Sequence, residues 1–191
     1  MVTEYYQDLE FKAIDKALLG EYWFSSPYRI AKRYYLELGE DPYVYGETPF
    51  ETFMQIGHAL KLKPQDTLLE LGCGRGRGAF FLNHFFESKV VAIEQIPEFI
   101  ERAQRVQKNH SLRRIEFRCQ DMLKCCFDGA TAVFLAGTCL QEDVIERLTR
   151  KLSQYNLRIA TISYPLKGFK VSQELEIAMP WGTTSAFIHE G

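Results

Sequence analysis

The sequence predicts an α/β fold: a mostly parallel, seven-stranded sheet that carries helices on both faces and closes with an antiparallel hairpin. From about residue 61 onward, short apolar runs alternate with segments in which apolar residues have helical spacing, and this alternation is typical of a parallel sheet. Near the end of the chain, two strand-like runs at 172–180 and 183–190 are separated only by a turn around Trp181–Gly182. No crossover helix fits between them, so these two strands should run antiparallel.

The chain begins with a segment, 4–39, that has helical character but is interrupted. Ser25, Ser26 and Pro27 form the interruption and the cap signal of a second helix. The loop DPYVYGETP follows at 41–49, and a helix is expected over about 50–60. Within that loop Thr48 is predicted to cap this helix, with proline at its first position.

The remaining elements alternate regularly. Strands are predicted at 67–71, 89–93, 115–119, 131–136 and 157–163, and helices near 77–87, 97–109 and 141–154. We therefore expect two units, a helical N-terminal segment with a covering loop at 1–49 and a cofactor-binding core at 50–191.

Composition excludes several classes of protein. The net charge is −2 and no basic tail or Lys/Arg cluster is present, which argues against strong nucleic-acid binding. No apolar run of about 18 residues exists that could span a membrane, and the acidic N-terminus has no signal-peptide pattern. The five cysteines form no extracellular-looking framework, so reduced thiols and a cytoplasmic location are expected. The adjacent pair Cys125–Cys126 is not expected to bind metal, because neighbouring residues rarely share one ion.

A glycine-rich turn follows the first predicted strand. Gly72, Gly74 and Gly76 stand directly after the apolar run 67–71, and glycine lets the backbone approach a ligand because no Cβ intervenes. The next strand ends in Glu94, whose carboxylate can hold both hydroxyls of a ribose. Cofactors that contain adenosine bind in this way at the carboxyl ends of strands in open α/β sheets.

The acids around this turn favour a methyl donor over a dinucleotide. A dinucleotide site needs G-x-G-x-x-G, but Arg77 occupies the position of the third glycine, and Glu70 would repel a pyrophosphate. S-adenosylmethionine instead presents an ammonium, which Glu70 would attract. Asp121, at the end of the third strand, can accept a hydrogen bond from the adenine amine. Together with Glu94 these residues place three acids at the ends of three successive strands and predict S-adenosylmethionine as cofactor.

Residues 43–169 resemble the disruptor-of-telomeric-silencing family, the histone lysine methyltransferases that lack a SET domain. The most specific element is a Y-G-E-T loop within VYGETPF at 44–50. The resemblance continues in the same order through LKPQDTLLELGCGRG, VVAIEQ, FRCQDML, ATAVFL, ERLTRKL and RIATISYPLKGF. It implies a Rossmann-like class I methyltransferase fold, with S-adenosylmethionine bound between this loop and the sheet.

The resemblance also implies a set of site residues. The loop would close over the methionine end of the cofactor, and Asp121 and Met122 would flank the adenine. The implied cofactor-binding residues are Thr48, Glu70, Gly72, Gly74, Gly76, Glu94, Asp121, Met122 and Ala136. Tyr45, Glu47 and Thr138, with Cys139 beside them, are the candidates for residues near the transferred methyl group.

The chain departs from that family where the target lysine would bind. Ala136, Gly137, Thr138 and Leu140 stand in place of two asparagines and two aromatics, and Ala186–Phe187 replaces a pair of tyrosines. The basic tail that holds family members on nucleosomal DNA is absent from the sequence. The expected partner is thus a protein methyl acceptor, with lysine implied by the resemblance, or a small-molecule acceptor. A third interpretation is a protein that binds the cofactor and has lost catalysis.

Overall fold

The structure is a computed structural model, and it describes residues 2–42 and 45–190. Its helices are α1 Val2–Tyr5, α2 Leu9–Gly20, α3 Pro27–Leu38, α4 Phe50–Ala59, α5 Arg77–Phe86, α6 Pro97–Asn109 and α7 Glu142–Leu152. Its strands are β1 Thr67–Leu71, β2 Lys89–Glu94, β3 Ile115–Cys119, β4 Ala132–Leu135, β5 Arg158–Ile162, β6 Lys170–Met179 and β7 Gly182–Glu190.

The seven strands form one sheet in the order β3-β2-β1-β4-β5-β7-β6. Strands β1 to β5 pair in parallel, whereas β7 lies antiparallel between β5 and β6. The predicted fold class is confirmed. Because β1 pairs with β2 on one side and β4 on the other, the segments that follow these three strands meet at one edge of the sheet.

From residue 50 onward, the predicted element boundaries agree with the observed ones to within two residues. In the segment 4–39 one interruption was predicted, at Ser25–Pro27, but the structure has two, at 6–8 and 21–26. The predicted cap of α4 is also wrong. Thr48 does not cap α4. The N-cap is Pro49, whose ψ of 153° is extended and whose carbonyl accepts the first helical hydrogen bond from Phe53. The helix therefore begins at Phe50, and Thr48 lies one residue too far from its first turn to cap it. By contrast, Ser26 caps α3 as expected, and Pro27 is its first residue.

Two apolar layers cover the sheet because side chains alternate between its faces along each strand. In β1, Leu68 belongs to the larger core under α2, α4, α5 and α6, whereas Leu69 and Leu71 belong to the core under α7. Glu70 follows the same alternation and points into the face of the larger core. A carboxylate at this position is therefore forced out of water by its place in the strand.

The N-terminal helices are anchored to the core by polar contacts as well as by apolar packing. Asp8 caps α2 by accepting from the N–H of Phe11, and its other oxygen lies 2.9 Å from Nε2 of His84 in α5. Asp15, which is 2% exposed, accepts from Arg77 at 2.9 and 3.1 Å. These contacts with α5 join residues before position 49 to residues after it. The division of the chain into two units at that position stays a prediction. Within residues 2–42 and 45–190, no helix is long and apolar enough to cross a membrane.

Candidate functional site

A cavity of about 810 Å³ lies at the carboxyl ends of β1, β2 and β4. Its wall combines the glycine turn after β1, the loop before α4, the segments after β2, β3 and β4, and the turn of the β6–β7 hairpin. Eleven of the twelve predicted site residues line it: Tyr45, Glu47, Thr48, Glu70, Gly72, Gly74, Glu94, Asp121, Met122, Ala136 and Thr138. Topology thus gathers side chains that are far apart in sequence.

Gly76 is the predicted site residue that the structure does not bring to the cavity. Its φ of +84° suits glycine, and a Cβ at this position would lie 2.6 Å from the ring of Phe117. Its role is therefore to let α5 begin close to the sheet. Gly74 also requires glycine, because its φ is +56° and a Cβ there would come within 3.0 Å of the ring of Tyr45. Its close approach to the cofactor stays a prediction. The amides of Gly72 and Cys73 both donate to the carbonyl of Ile93, at 2.9 Å each, and fix the turn to β2.

Glu70 is the most unusual group in the wall. It is 3% exposed, and its Oε2 has no hydrogen-bond partner among the described residues. Burial raises the pKa of this carboxyl to about 8, and the negative charge of Glu94 adds to the effect. Gly78 makes room for it, because a Cβ on Gly78 would lie 2.2 Å from Oε1 of Glu70. A buried acid that faces a cavity without a partner suits a cationic ligand group, as the ammonium of S-adenosylmethionine would be.

Glu94 is held by the backbone rather than by side chains. Its Oε2 accepts from the amide of Gly74 at 3.0 Å, and its Oε1 accepts from those of Gln95 at 2.7 Å and Ile96 at 3.0 Å. Burial raises the pKa of this carboxyl, while the three amide donors act in the opposite direction. These bonds orient the carboxylate beside the glycine turn, where it was predicted to receive ribose hydroxyls.

The loop before α4 is tied to the glycine turn by an ion pair. Glu47 Oε2 accepts from Nη2 of Arg75 at 2.8 Å, and Nε of Arg75 lies 2.7 Å from Oε1 of Glu47. The Tyr45 hydroxyl donates to Glu47 Oε1 at 2.9 Å, and the Tyr45 ring packs against Phe99 and Tyr28. Val44, the first residue of the quoted VYGETPF motif, lies outside the described residues, as does Tyr43.

The sides of the cavity that were predicted to hold the adenine and the methyl acceptor differ in character. Asp121 Oδ1 accepts from the amide of Leu123 at 2.8 Å, and the Met122 methyl reaches within 3.4 Å of where a Cβ of Gly72 would stand. On the other side, Ala136 is half-buried and Thr138 is exposed. No hydrogen bond joins Thr138 to Glu47 or Tyr45 among the described side chains, so these three candidates form no catalytic chain.

Sequence reasoning missed two residues of this site, Arg75 and Gly78. Gly78 takes the role that the third glycine of a dinucleotide motif would have, since a Cβ there would also lie 2.6 Å from the ring of Phe53. The available signal was its place two residues after Gly76, as the fourth glycine of an alternating run that begins at Gly72. The sequence shows Arg75 as a charged residue between two glycines, but it does not show that Glu47 is the partner of this charge. Arg77, read as an obstacle to dinucleotides, instead pairs with Asp15 and lies 3.8 Å over the ring of Phe50.

Solved structures with the same fold include several methyltransferases. An RNA methyltransferase from Salinibacter ruber, in complex with S-adenosyl-L-homocysteine, has a TM-score of 0.65 and 20% identity, with 75% of this chain and 93% of that chain covered. The fold is also that of precorrin 8W decarboxylase from Methanobacterium thermoautotrophicum, which has a TM-score of 0.58 and 22% identity. The match covers 79% of this chain and 95% of that chain. Geranyl diphosphate C-methyltransferase from Streptomyces coelicolor A3(2), also in complex with S-adenosyl-L-homocysteine, has a TM-score of 0.50 and 22% identity. The match covers 57% of this chain and 45% of that chain.

No curated protein matches the chain. Residues 62–173 match a family described as methyltransferase domain, and this range holds β1 to β5 and the glycine turn. The match confirms the predicted enzyme class, a methyltransferase that depends on S-adenosylmethionine. It is a match to methyltransferase domains in general and does not single out the disruptor-of-telomeric-silencing family. Since the matched residues make up more than half of the sequence, the chain belongs to the methyltransferase domain family.

Proposed function

We propose that this methyltransferase transfers the methyl group of S-adenosylmethionine to an amine nitrogen, the lysine side chain of a protein partner. The observation that carries the proposal is the charge of the cavity wall. Among the described residues that line it, the acids are Glu40, Asp41, Glu47, Glu70, Glu94, Asp121 and Asp143. Glu70 keeps its proton in the ligand-free protein, because burial raises its pKa to about 8, and it would become charged when a cation binds beside it. The cations among the described lining residues are Arg75 and Arg77, and each already pairs with a carboxylate. Such a wall favours a cationic donor and a cationic acceptor.

The cofactor would be held by the residues that the sequence indicated. Glu70 would face the ammonium, Glu94 the ribose hydroxyls, and Asp121 with Met122 the adenine. The bound cofactor supplies a methyl group on a positively charged sulfur. The protein's part is then to orient the acceptor and to exclude water, because displacement at an activated sulfonium needs alignment more than acid–base help.

The mouth of the cavity suits an acceptor that belongs to a large molecule. Glu40, Asp41 and Asp143 line it and are exposed, and so is Trp181 in the hairpin turn. These carboxylates would attract a lysine ammonium from solvent. Deeper in the wall, Ala136 offers an apolar surface, and burial there would lower the pKa of the amine and leave it neutral for attack.

Tyr45, Glu47 and Thr138 remain proposals as residues near the methyl group. Tyr45 would hold the covering loop against the cofactor through its ring contact with Phe99, Glu47 would lie near the methionine end, and Thr138 would contact the acceptor. An RNA acceptor, as for the Salinibacter ruber enzyme, is disfavoured here because phosphates would meet a predominantly acidic mouth.

The test is transfer of a labelled methyl group from S-adenosylmethionine into whole-cell lysate, followed by separation of macromolecules from small molecules. We expect label in protein, recovered as methyl-lysine after hydrolysis. Glu94→Ala is the control, because loss of its charged hydrogen bonds should weaken cofactor affinity by roughly 1–3 kcal/mol.

The other outcomes are equally informative. Label in the small-molecule fraction would replace the protein acceptor with a small one. If calorimetry shows that the cofactor binds but no label is transferred to either fraction, the chain is a binding protein without catalysis. Unchanged cofactor affinity in the Glu94→Ala variant would contradict the assignment of the ribose site.

A further inference from the structure

We propose that Arg75 is the receptor for the carboxylate of the cofactor's methionine moiety, and that Glu47 occupies this receptor when the cofactor is absent. The inference rests on the proposed use of S-adenosylmethionine and deepens it. It assigns to the glycine turn a recognition element for the zwitterionic end of an α-amino acid, in addition to the steric role of its glycines.

Arg75 is placed to bind an anion inside the cavity. It lies between Gly74 and Gly76, lines the cavity and is 6% exposed. A guanidinium removed from water to this extent requires an anionic partner, and its planar fork suits the two oxygens of a carboxylate. The guanidinium carbon of Arg75, Cζ, lies 5.5 Å from the centre of the Tyr22 ring, so the guanidinium packs against a buried aromatic side chain. The site is therefore preorganised for a carboxylate.

The present partner of Arg75 comes from a loop and not from the core. Glu47 belongs to the segment that covers the cavity, and its side chain is 20% exposed whereas that of Arg75 is 7% exposed. Glu47 has a second contact, the hydrogen bond from the Tyr45 hydroxyl at 2.9 Å. It can thus leave Arg75 and still keep a hydrogen-bond partner within its own loop. A carboxylate that enters from the cavity can take its place on Arg75.

Glu70 completes the recognition of an α-amino acid. Its Oε2 is buried without a partner, so an ammonium is expected there. The opposite charge of the same ligand group then needs a cation. Of the two cations among the described lining residues, Arg77 is committed to Asp15 by two hydrogen bonds and to the Phe50 ring. Arg75 remains as the cation whose partner is exchangeable.

The test is calorimetric binding with two ligands that differ only in the group concerned, S-adenosylmethionine and its decarboxylated form. We expect the wild-type chain to bind the first more tightly by roughly tenfold to a hundredfold, the range for a charged hydrogen bond. Arg75→Met should lose that preference by weakening only the carboxylated ligand. Arg75→Lys, which keeps the charge but not the fork, should retain part of it.

Two further variants sharpen the result. Glu47→Gln removes the competing carboxylate and should tighten binding of S-adenosylmethionine without the same gain for the decarboxylated ligand. Arg113→Met, an exposed arginine far along the sequence from the turn, is the matched control and should change neither affinity. Circular dichroism melts show whether each variant is folded before binding is compared.

The two ways of failing are distinct. If the folded wild-type chain does not bind S-adenosylmethionine, the cofactor assignment and this inference fall together. If the wild-type chain binds it and the folded Arg75→Met and Arg75→Lys variants discriminate between the two ligands as well as the wild type does, the inference about Arg75 alone is wrong.

Discussion

Replacement of Glu70 by glutamine should make the ligand-free protein more stable at neutral pH. Burial raises the pKa of Glu70 to about 8 from an ordinary value of 4.5, with Glu94 as the second cause. Below the lower value the carboxyl is protonated in both the folded and the unfolded chain, and it costs nothing. As the pH rises, the unfolded chain loses this proton while the folded chain retains it, so the free energy of unfolding falls until the pH passes the higher value.

The magnitude follows from the two pKa values. Each pH unit between them costs about 1.4 kcal/mol, so the loss is about 3 kcal/mol at pH 7 and levels at about 5 kcal/mol above pH 8. Glutamine has nearly the same shape and does not ionise, so the variant should lack this slope. Burial also raises the pKa of Glu94. In the Glu70→Gln variant the free energy of unfolding should therefore still fall with pH, but less steeply.

The assay is urea denaturation followed by circular dichroism at several values between pH 5 and pH 8.5. We expect the free energy of unfolding of wild type to fall across this range and that of Glu70→Gln to fall much less. Glu146→Gln, the same substitution at an exposed position of α7, should track wild type. Parallel pH profiles for wild type and Glu70→Gln would refute the reasoning, because the raised pKa would then have no part in stability.

Three other substitutions, each followed by urea denaturation, test two contacts near the site and one exposed position away from it. Gly78→Ala should destabilise by roughly 1–3 kcal/mol, because its Cβ would stand 2.2 Å from Oε1 of Glu70; an unaffected variant would mean that α5 can move away. Asp15→Asn should cost about 3 kcal/mol, since it leaves the guanidinium of Arg77 without its anion, and a loss below about 1 kcal/mol would contradict this. Trp23→Ser, at a side chain 82% exposed, should change stability by less than about 0.5 kcal/mol, and a larger loss would reveal packing that the structure lacks.

The elements of the sheet were predictable because their signals are local. Apolar runs such as 67–71 and acids such as Glu94 at strand ends follow from alternation and from the shared edge of parallel strands. The start of α4 at residue 50 was predicted correctly, but its cap was not, because a threonine followed by proline gives the same cap signal in two registers one residue apart. Only the observed ψ of Pro49 decides between them.

The polar contacts of the site were harder to predict for a different reason. Arg75 and Glu47 are 28 residues apart, and nothing in either neighbourhood specifies the other. Their pairing depends on where the covering loop lies over the turn, which packing of Tyr45 on Phe99 decides. Likewise, the role of Gly76 is hidden in the sequence, because the ring that excludes a Cβ there belongs to β3.

The anchoring of the N-terminal helices has a thermodynamic consequence. Tyr28 and Tyr35 of α3 line the cavity together with Trp181 of the hairpin, so opposite ends of the chain complete one binding surface. A ligand that binds to this surface stabilises the folded arrangement of the elements that form it, and the stabilisation grows with the concentration of the ligand. Linkage makes the relation reciprocal. A mutation that loosens α2 from α5, or α3 from α6, weakens binding of the ligand, and the bound ligand in turn stabilises these contacts. A measurement of cofactor affinity therefore also reports how strongly α2 and α3 are bound to the rest of the domain.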